Sequence, residues 1–234
     1  MILKILARCR WPFDWTKHHS TDDLRFVCTT NKGDRETIAL TSYPSERWPS
    51  DVRNKTRIWE AGRATAAATS FFDPIQISTD KGGNVNLGYV DGATGANNPV
   101  LEMWSEATDY FCESTNTRLE DKLKCLVSVG TGAPAVEAFG DTLAEVGETL
   151  LAIATDTEKT AEKFLRNYRH LGTSKKYFRF NVMKGLEKVG LEESSKMDLI
   201  KVRTDTYLAG QKVVQEVKEC CEVLRTRECM VDFS

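Results

Sequence analysis

The chain has 234 residues, 41% of them hydrophobic, and a formal net charge of −2. That length allows one domain with a sizeable core, and a near-even charge with no long Lys or Arg run argues against a nucleic-acid partner. No apolar run approaches the roughly 20 residues needed to cross a bilayer, so no transmembrane segment is expected.

Residues 1–24 form a lead assigned to no element. Met1–Leu6 is apolar but soon meets Arg8, Arg10 and Pro12, too short a stretch for a signal-peptide core, and no secretion is expected. Arg25–Thr30 and Thr37–Leu40 read as strands, with Asn31-Lys-Gly-Asp34 closing a hairpin between them. Tyr43–Arg53, broken by Pro44 and Pro49, reads as a loop. Arg57–Ser70 carries Ile58, Ala61, Thr65 and Ala68 at helical spacing, and its many small residues suit close packing against a neighbouring layer. Asp73-Pro74 ends it, and Lys81-Gly-Gly-Asn84 marks a further turn.

Asn86–Val90 reads as a strand that delivers Asp91-Gly92. In an open parallel sheet such a carboxylate stands at the carboxyl edge, where sites form. Gly92 permits positive φ and a close backbone approach. Asp-Gly on its own is also a common turn dipeptide, so its chemistry needs a partner. Asn98 is placed as a helix N-cap with Pro99 at the first helical position. The helix Asn98–Glu113 then lines up Val100, Met103, Trp104, Ala107, Tyr110 and Phe111.

Lys124–Val129 is a buried strand ending in Gly130-Thr131-Gly132. These glycines could offer N–H groups to an anion, but they lack the spacing and Lys of a phosphate loop, and a tight strand-to-loop turn is the favoured reading. A long helix is expected from Thr142 to Arg169, opening on a capping box at Thr142–Glu145. Tyr177–Val182 is a further strand, and Val213, Val214, Val217, Cys221 and Leu224 make one stripe on a final helix. Strands alternating with helices argue for an α/β fold with a largely parallel sheet and a helical C-terminal half.

The seven cysteines include no C-x-x-C pair and there are only three histidines, so neither a metal site nor a cofactor is expected. Cys28 and Cys125 fall within apolar strands as small hydrophobes, a usage that fits a reducing, cytoplasmic setting.

Three ordered blocks together resemble the patatin-like phospholipase family, its fungal members in particular. Ile58–Pro74 is similar to the helix ahead of that family's catalytic aspartate, Val90–Val100 to its Asp-Gly-Ala/Gly motif, and Cys125–Gly132 to a third block. The likeness continues through Gly147–Ala154 and Tyr177–Asn181. It implies a patatin-like layered fold over residues 25–229, truncated at its N-terminal side, with a tail at 230–234. It also implies acyl-ester hydrolysis of lipids by a Ser–Asp dyad, with Asp91 as the catalytic aspartate and Asp91, Gly92 and Ala93 as the motif. The substrate expected from the family is a lipid or acyl ester.

The departure lies in the nucleophile. No Gly-x-Ser-x-Gly occurs in the sequence: Ser128 precedes its glycines, and Ser174 lacks the second one. No glycine-rich oxyanion loop stands ahead of the first strand. The expectation is therefore a partial acyl hydrolase domain, inactive alone, or a pseudoenzyme serving as a lipid- or protein-binding module. Missing upstream strands would leave a sheet edge for a partner chain to cover.

Overall fold

The computed structural model describes residues 24–48, 50–68, 71–78, 86–113, 117–132, 157–186, 189–190 and 193–225. The lead, the turn at 81–84 and the start of the long helix expected from Thr142 lie outside them.

Local turn chemistry sets the first hairpin. Strands β1 (Phe26–Asn31) and β2 (Thr37–Thr41) pair antiparallel, with Phe26 opposite Thr41 and Thr30 opposite Thr37. Between them the Asn31 side chain accepts the Gly33 N–H at 2.8 Å and Asp34 accepts the Glu36 N–H at 2.9 Å, so two polar side chains satisfy donors that the tight turn leaves unpaired. The left-handed residue of this turn is Arg35 (φ 63°).

Strands β3 (Ile75–Ser78) and β4 (Asn86–Asp91) are also antiparallel, and β4 joins the hairpin through β1, with Thr29 opposite Asp91. The resulting sheet has the order β2-β1-β4-β3 and is antiparallel throughout. This corrects the expectation of a largely parallel sheet. A parallel pair needs a crossover of about a dozen residues or more, and the 32–36 and 79–85 connections are shorter than that. Among the described residues the parallel pairing is confined to β5 (Leu126–Val129) with β6 (Tyr177–Phe180), whose long connection carries helices.

The helices differ from expectation mainly at their ends. Part of the loop expected over Tyr43–Arg53 is helical, α1 (Ser50–Lys55), which buries Val52. Helix α2 (Ile58–Thr65) ends five residues short of Ser70. The carbonyl of Ala67, which would have continued it, instead accepts the Asp91 N–H at 3.0 Å. Ala64 and Ala67 are fully buried, so the small residues do bring α2 close to the sheet, and Leu40, Val52, Ile77 and Tyr89 complete this core.

A second core surrounds α4 (Val100–Cys112). Val100, Met103 and Trp104 of its apolar stripe are buried, as are Leu126, Phe164, Leu171 and Tyr177. Short α3 (Ala93–Ala96) leads into α4, and α5 (Leu119–Lys122) into β5. Residues 157–167 are helical (α6), Tyr168 interrupts, and α7 (Arg169–Thr173) follows. Phe164 is fully enclosed between Trp104 (ring centroids 5.4 Å apart) and Tyr177 (5.2 Å). Its burial alone contributes about 2–3 kcal/mol.

A 3-10 turn, Ser194–Lys196, precedes α8 (Met197–Leu208) and α9 (Gln211–Arg225). Cys220 of α9 packs on Cys125 and Phe178, and Leu224 of the expected stripe packs beside it with Val213 and Val217 part-buried, whereas Val214 and Cys221 are exposed, so Cys220 takes the inward place expected for Cys221. No helix among the described residues is long and apolar enough to cross a membrane.

Burial pushes the thiols of Cys28 and Cys125 up to about 12, and the charges of Glu102 and Glu106 add to the effect at Cys28. A thiol whose folded pKa lies above its unfolded value stabilises the fold fully below about pH 9, and that contribution fades as pH rises toward 12. Near pH 8, exposed Cys221 is expected to react with iodoacetamide well ahead of Cys28 and Cys125, whose buried thiols are held protonated. Peptide mapping after brief alkylation tests this; labelling of Cys28 as fast as Cys221 would contradict it.

Candidate functional site

Asp91 is the last residue of β4 and is half-buried. Its N–H is held by Ala67, and its Oδ1 accepts the Ala93 N–H at 2.7 Å. One carboxylate oxygen therefore orders the turn, as is common for Asp-Gly. Asp91 also lines a small open cleft of about 40 Å³ with Cys28, Thr65, Ala96, Asn97 and Pro99. Position at a strand end survives from the sequence reading, but the rule for parallel sheets does not supply the reason, because β4 runs between antiparallel neighbours.

Gly92 has φ −65°, an ordinary value, so positive φ is not what requires glycine there. Close approach does: a Cβ on Gly92 would lie 2.1 Å from the Cys28 carbonyl oxygen. Ala93 opens the single-turn α3, and Gly95 within that turn meets Thr37 just as closely, at 2.1 Å. The motif is therefore pressed against β1 and the start of β2.

The two asparagines that follow fasten α4 to its neighbours. Asn97 Nδ2 donates to Thr157 Oγ1 at 2.6 Å, and Asn98 Nδ2 to the Thr157 carbonyl at 3.0 Å. Asn98 Oδ1 accepts the Val100 N–H at 3.3 Å, a capping bond, although Pro99 rather than Asn98 occupies the residue before the helix. The expected N-cap is shifted by one position with its chemistry retained.

Among the described residues, none lining the Asp91 cleft is a serine or histidine, and Thr65 supplies the hydroxyl. Thr65 Oγ1 already donates to the Cys28 carbonyl at 2.6 Å. Ser128 is fully buried on β5, where its Oγ accepts a hydrogen bond from Arg179 at 2.8 Å. Ser174 donates to the His170 carbonyl at 2.6 Å. Neither is brought to the Asp91 cleft.

The glycine turn after β5 is closed on itself. Gly130 N–H donates to the Phe180 carbonyl and Gly132 N–H to Asn181 Oδ1, each at 2.8 Å, so both amides have protein partners. Gly132 has φ +96°, which does call for glycine. The strand-to-loop reading is the one this geometry supports.

Two polar clusters were not visible in the sequence. Glu106, 4% exposed, lies within the apolar face of α4 and accepts hydrogen bonds from Tyr43 Oη (3.1 Å), Ser45 Oγ (3.3 Å) and Trp48 Nε1 (2.7 Å). Arg47 pairs with Asp109 one turn on. Burial, then the Glu106 charge, pushes the Tyr43 phenol well above its ordinary value. The second cluster joins Arg179 and Asn181 to Glu158. The signal for the first was a lone carboxylate three residues after Met103, on the apolar stripe. Among the described residues no group of three or more His, Cys, Asp or Glu is placed to hold a metal ion.

No protein-family model matches the chain. It is 28% identical over 177 residues to patatin-like phospholipase 1 of Plasmodium falciparum (isolate NF54). The match covers 69% of this chain and 25% of that protein, so the chain spans no more than a part of the length of its relative. The similarity is thus to part of one patatin-like phospholipase.

Proposed function

We propose that the chain is a partial patatin-like lipid acyl hydrolase domain that retains the dyad aspartate, Asp91, and lacks the serine that aspartate would serve. The observation that carries this reading is a carboxylate at a strand end, lining a cleft, in a chain similar to a phospholipase. In a Ser–Asp dyad the carboxylate takes the serine proton as the hydroxyl attacks the ester carbonyl, and backbone amides hold the developing oxyanion. Asp91 fits the acceptor role, Gly92 holds it against β1, and Asn97 and Asn98 fix the helix behind it.

Without an attacking hydroxyl the carboxylate has no proton to take, and the chain alone is inactive toward esters. The substrate class is a lipid or acyl ester. The described cysteines are free thiols, including the adjacent Cys125 and Cys220, which fits a reducing cytoplasmic setting.

The purified chain is expected to hydrolyse p-nitrophenyl butyrate no faster than buffer and to take no fluorophosphonate label. Labelling abolished by a Ser→Ala change at any of its serines would overturn the inactivity. If the gene carries an in-frame glycine-rich loop and Gly-x-Ser-x-Gly ahead of residue 1, the extended chain is expected to label. Its Asp91→Asn variant should then lose about 10²–10⁴ in rate, the usual worth of a general base. Full activity in that variant would remove Asp91 from the mechanism.

A further inference from the structure

We propose that Cys125 and Cys220 are a peroxide-oxidisable dithiol pair, whose disulfide locks α9 against the β5–β6 sheet. The proposal goes beyond the hydrolase reading above and makes no use of the Asp91 carboxylate.

A buried free cysteine is ordinarily a small hydrophobe, and Cys28 needs no other reading. Cys125 and Cys220 differ because they meet. Cys125 directly precedes β5 and is fully buried, whereas Cys220 lies in α9, 95 positions on by the residue numbers, and is 6% exposed. Their thiols share a hydrogen bond. The surroundings are apolar: Phe178, with Val127 and Phe180 from the sheet and Val223 and Leu224 from α9. Beside the pair, Lys124 Nζ donates to the Leu224 carbonyl at 3.2 Å, one turn beyond Cys220. The end of α9 is therefore already held to the start of β5. Sulfurs in such contact reach the disulfide bond length of about 2.05 Å by side-chain rotation, without rearrangement of the strand or the helix.

The pair is asymmetric in a way that assigns the roles. Burial raises both thiols, and the shared hydrogen bond then adds to the rise at Cys125 and opposes it at Cys220. Cys220 is also the sulfur nearer solvent, next to exposed Cys221. Cys220 is therefore the attacking thiolate. It takes one oxygen from hydrogen peroxide as the O–O bond breaks, becoming a sulfenic acid, and the departing hydroxide gains a proton to leave as water. Cys125 then attacks the Cys220 sulfur, gives up its proton and expels the sulfenic oxygen as a second water. Two thiols and one peroxide thus become one disulfide and two waters, each sulfur losing one electron and the peroxide gaining two. A resolving thiol already in contact intercepts the sulfenic acid before it oxidises further. Thiol reductants reverse the bond, so in a reducing setting the pair rests as a dithiol and closes when peroxide rises.

The test treats the full, fully reduced chain with hydrogen peroxide. The monomer should lose the mass of two hydrogens, and tryptic mapping should join the peptide that begins at Cys125 to the one that holds Cys220. Cys221 shares that second peptide, so the mapping is repeated in Cys221→Ser, in which the link should persist. Cys220→Ser should abolish it. Cys125→Ser should instead accumulate a sulfenic acid at Cys220 that dimedone traps. The wild type needs no substitution for the remaining readouts. Its melting temperature should rise by roughly 4–16 °C on oxidation and fall back with dithiothreitol. Amide exchange across Gln211–Arg225 should slow in the oxidised chain. The proposal is overturned if peroxide adds oxygen without a link, or if the link runs to Cys221 or joins two chains. A Cys125–Cys220 link that leaves both the melting temperature and the exchange of α9 unchanged would overturn the lock.

Discussion

Replacing Glu106 by alanine is expected to destabilise the chain by about 1–3 kcal/mol, the range for leaving buried donors without their acceptor. The side chain is 4% exposed and receives donors from Tyr43, Ser45 and Trp48, all on the segment between β2 and α1. Truncation would leave a buried phenol and an indole N–H without their acceptor. At about 2–4 °C per kcal/mol for a chain of this size, the melting temperature should fall by roughly 2–12 °C. Glu106→Gln keeps the shape and should cost less, because its carbonyl can still accept while its amide meets a donor. Tyr43→Phe should cost about 1 kcal/mol, one hydrogen bond.

The raised Tyr43 pKa adds a pH dependence with a definite sign. An acid whose folded pKa exceeds its unfolded value, about 10 for tyrosine, stabilises the fold fully below that pH and loses the contribution above it. Urea titrations of these variants read all of these effects. A loss below about 1 kcal/mol for Glu106→Ala would show that the cluster is not a structural clamp.

Gly92 and Gly62 are expected to respond to alanine with opposite signs. At Gly92 the added Cβ would stand 2.1 Å from the Cys28 carbonyl oxygen and 2.5 Å from its carbon. Both are backbone atoms of β1, which is held between β2 and β4 and cannot withdraw without breaking pairing on one side. Gly92→Ala should therefore cost about 3 kcal/mol or more, at the upper end for overpacking. Its φ of −65° suits any residue, so the loss would be steric and not conformational. At Gly62 there is open space within 4 Å and the backbone is helical, so alanine should gain about 0.5–1 kcal/mol. Thermal melts of the two variants test the pair. A tolerated Gly92→Ala would mean that β4 and β1 are not as closely apposed at the Asp91 end as they stand here.

Elements governed by neighbouring residues could be read without coordinates. The Asn31–Asp34 turn is satisfied by its own side chains, so the hairpin was legible. The α4 stripe was legible for a similar reason: Val100, Met103 and Trp104 repeat at helical spacing, and a helix buries whichever arc is apolar. Asp91 at the end of β4 followed from a strand pattern running into Asp-Gly.

What escaped such reading depended on partners far along the chain. Beyond the end of α2 the Ala67 carbonyl accepts the Asp91 N–H, 24 positions away in sequence by the residue numbers. Cys220, not Cys221, turns inward because Cys125 and Phe178 lie on that side of α9. The direction of β4 relative to β1 was open until pairing put Thr29 opposite Asp91.

Periodicity and turn residues report on energies within a few positions of the chain, and so they specified the elements, the turn at Asp91 and the absence of a Gly-x-Ser-x-Gly. Strand direction, the burial of Glu106 and the partners of Ser128 and Thr65 arose from contacts between segments far apart in sequence. Such contacts form only when a hydrogen-bonding group leaving water finds its counterpart on another element, and no local pattern encodes which element that will be.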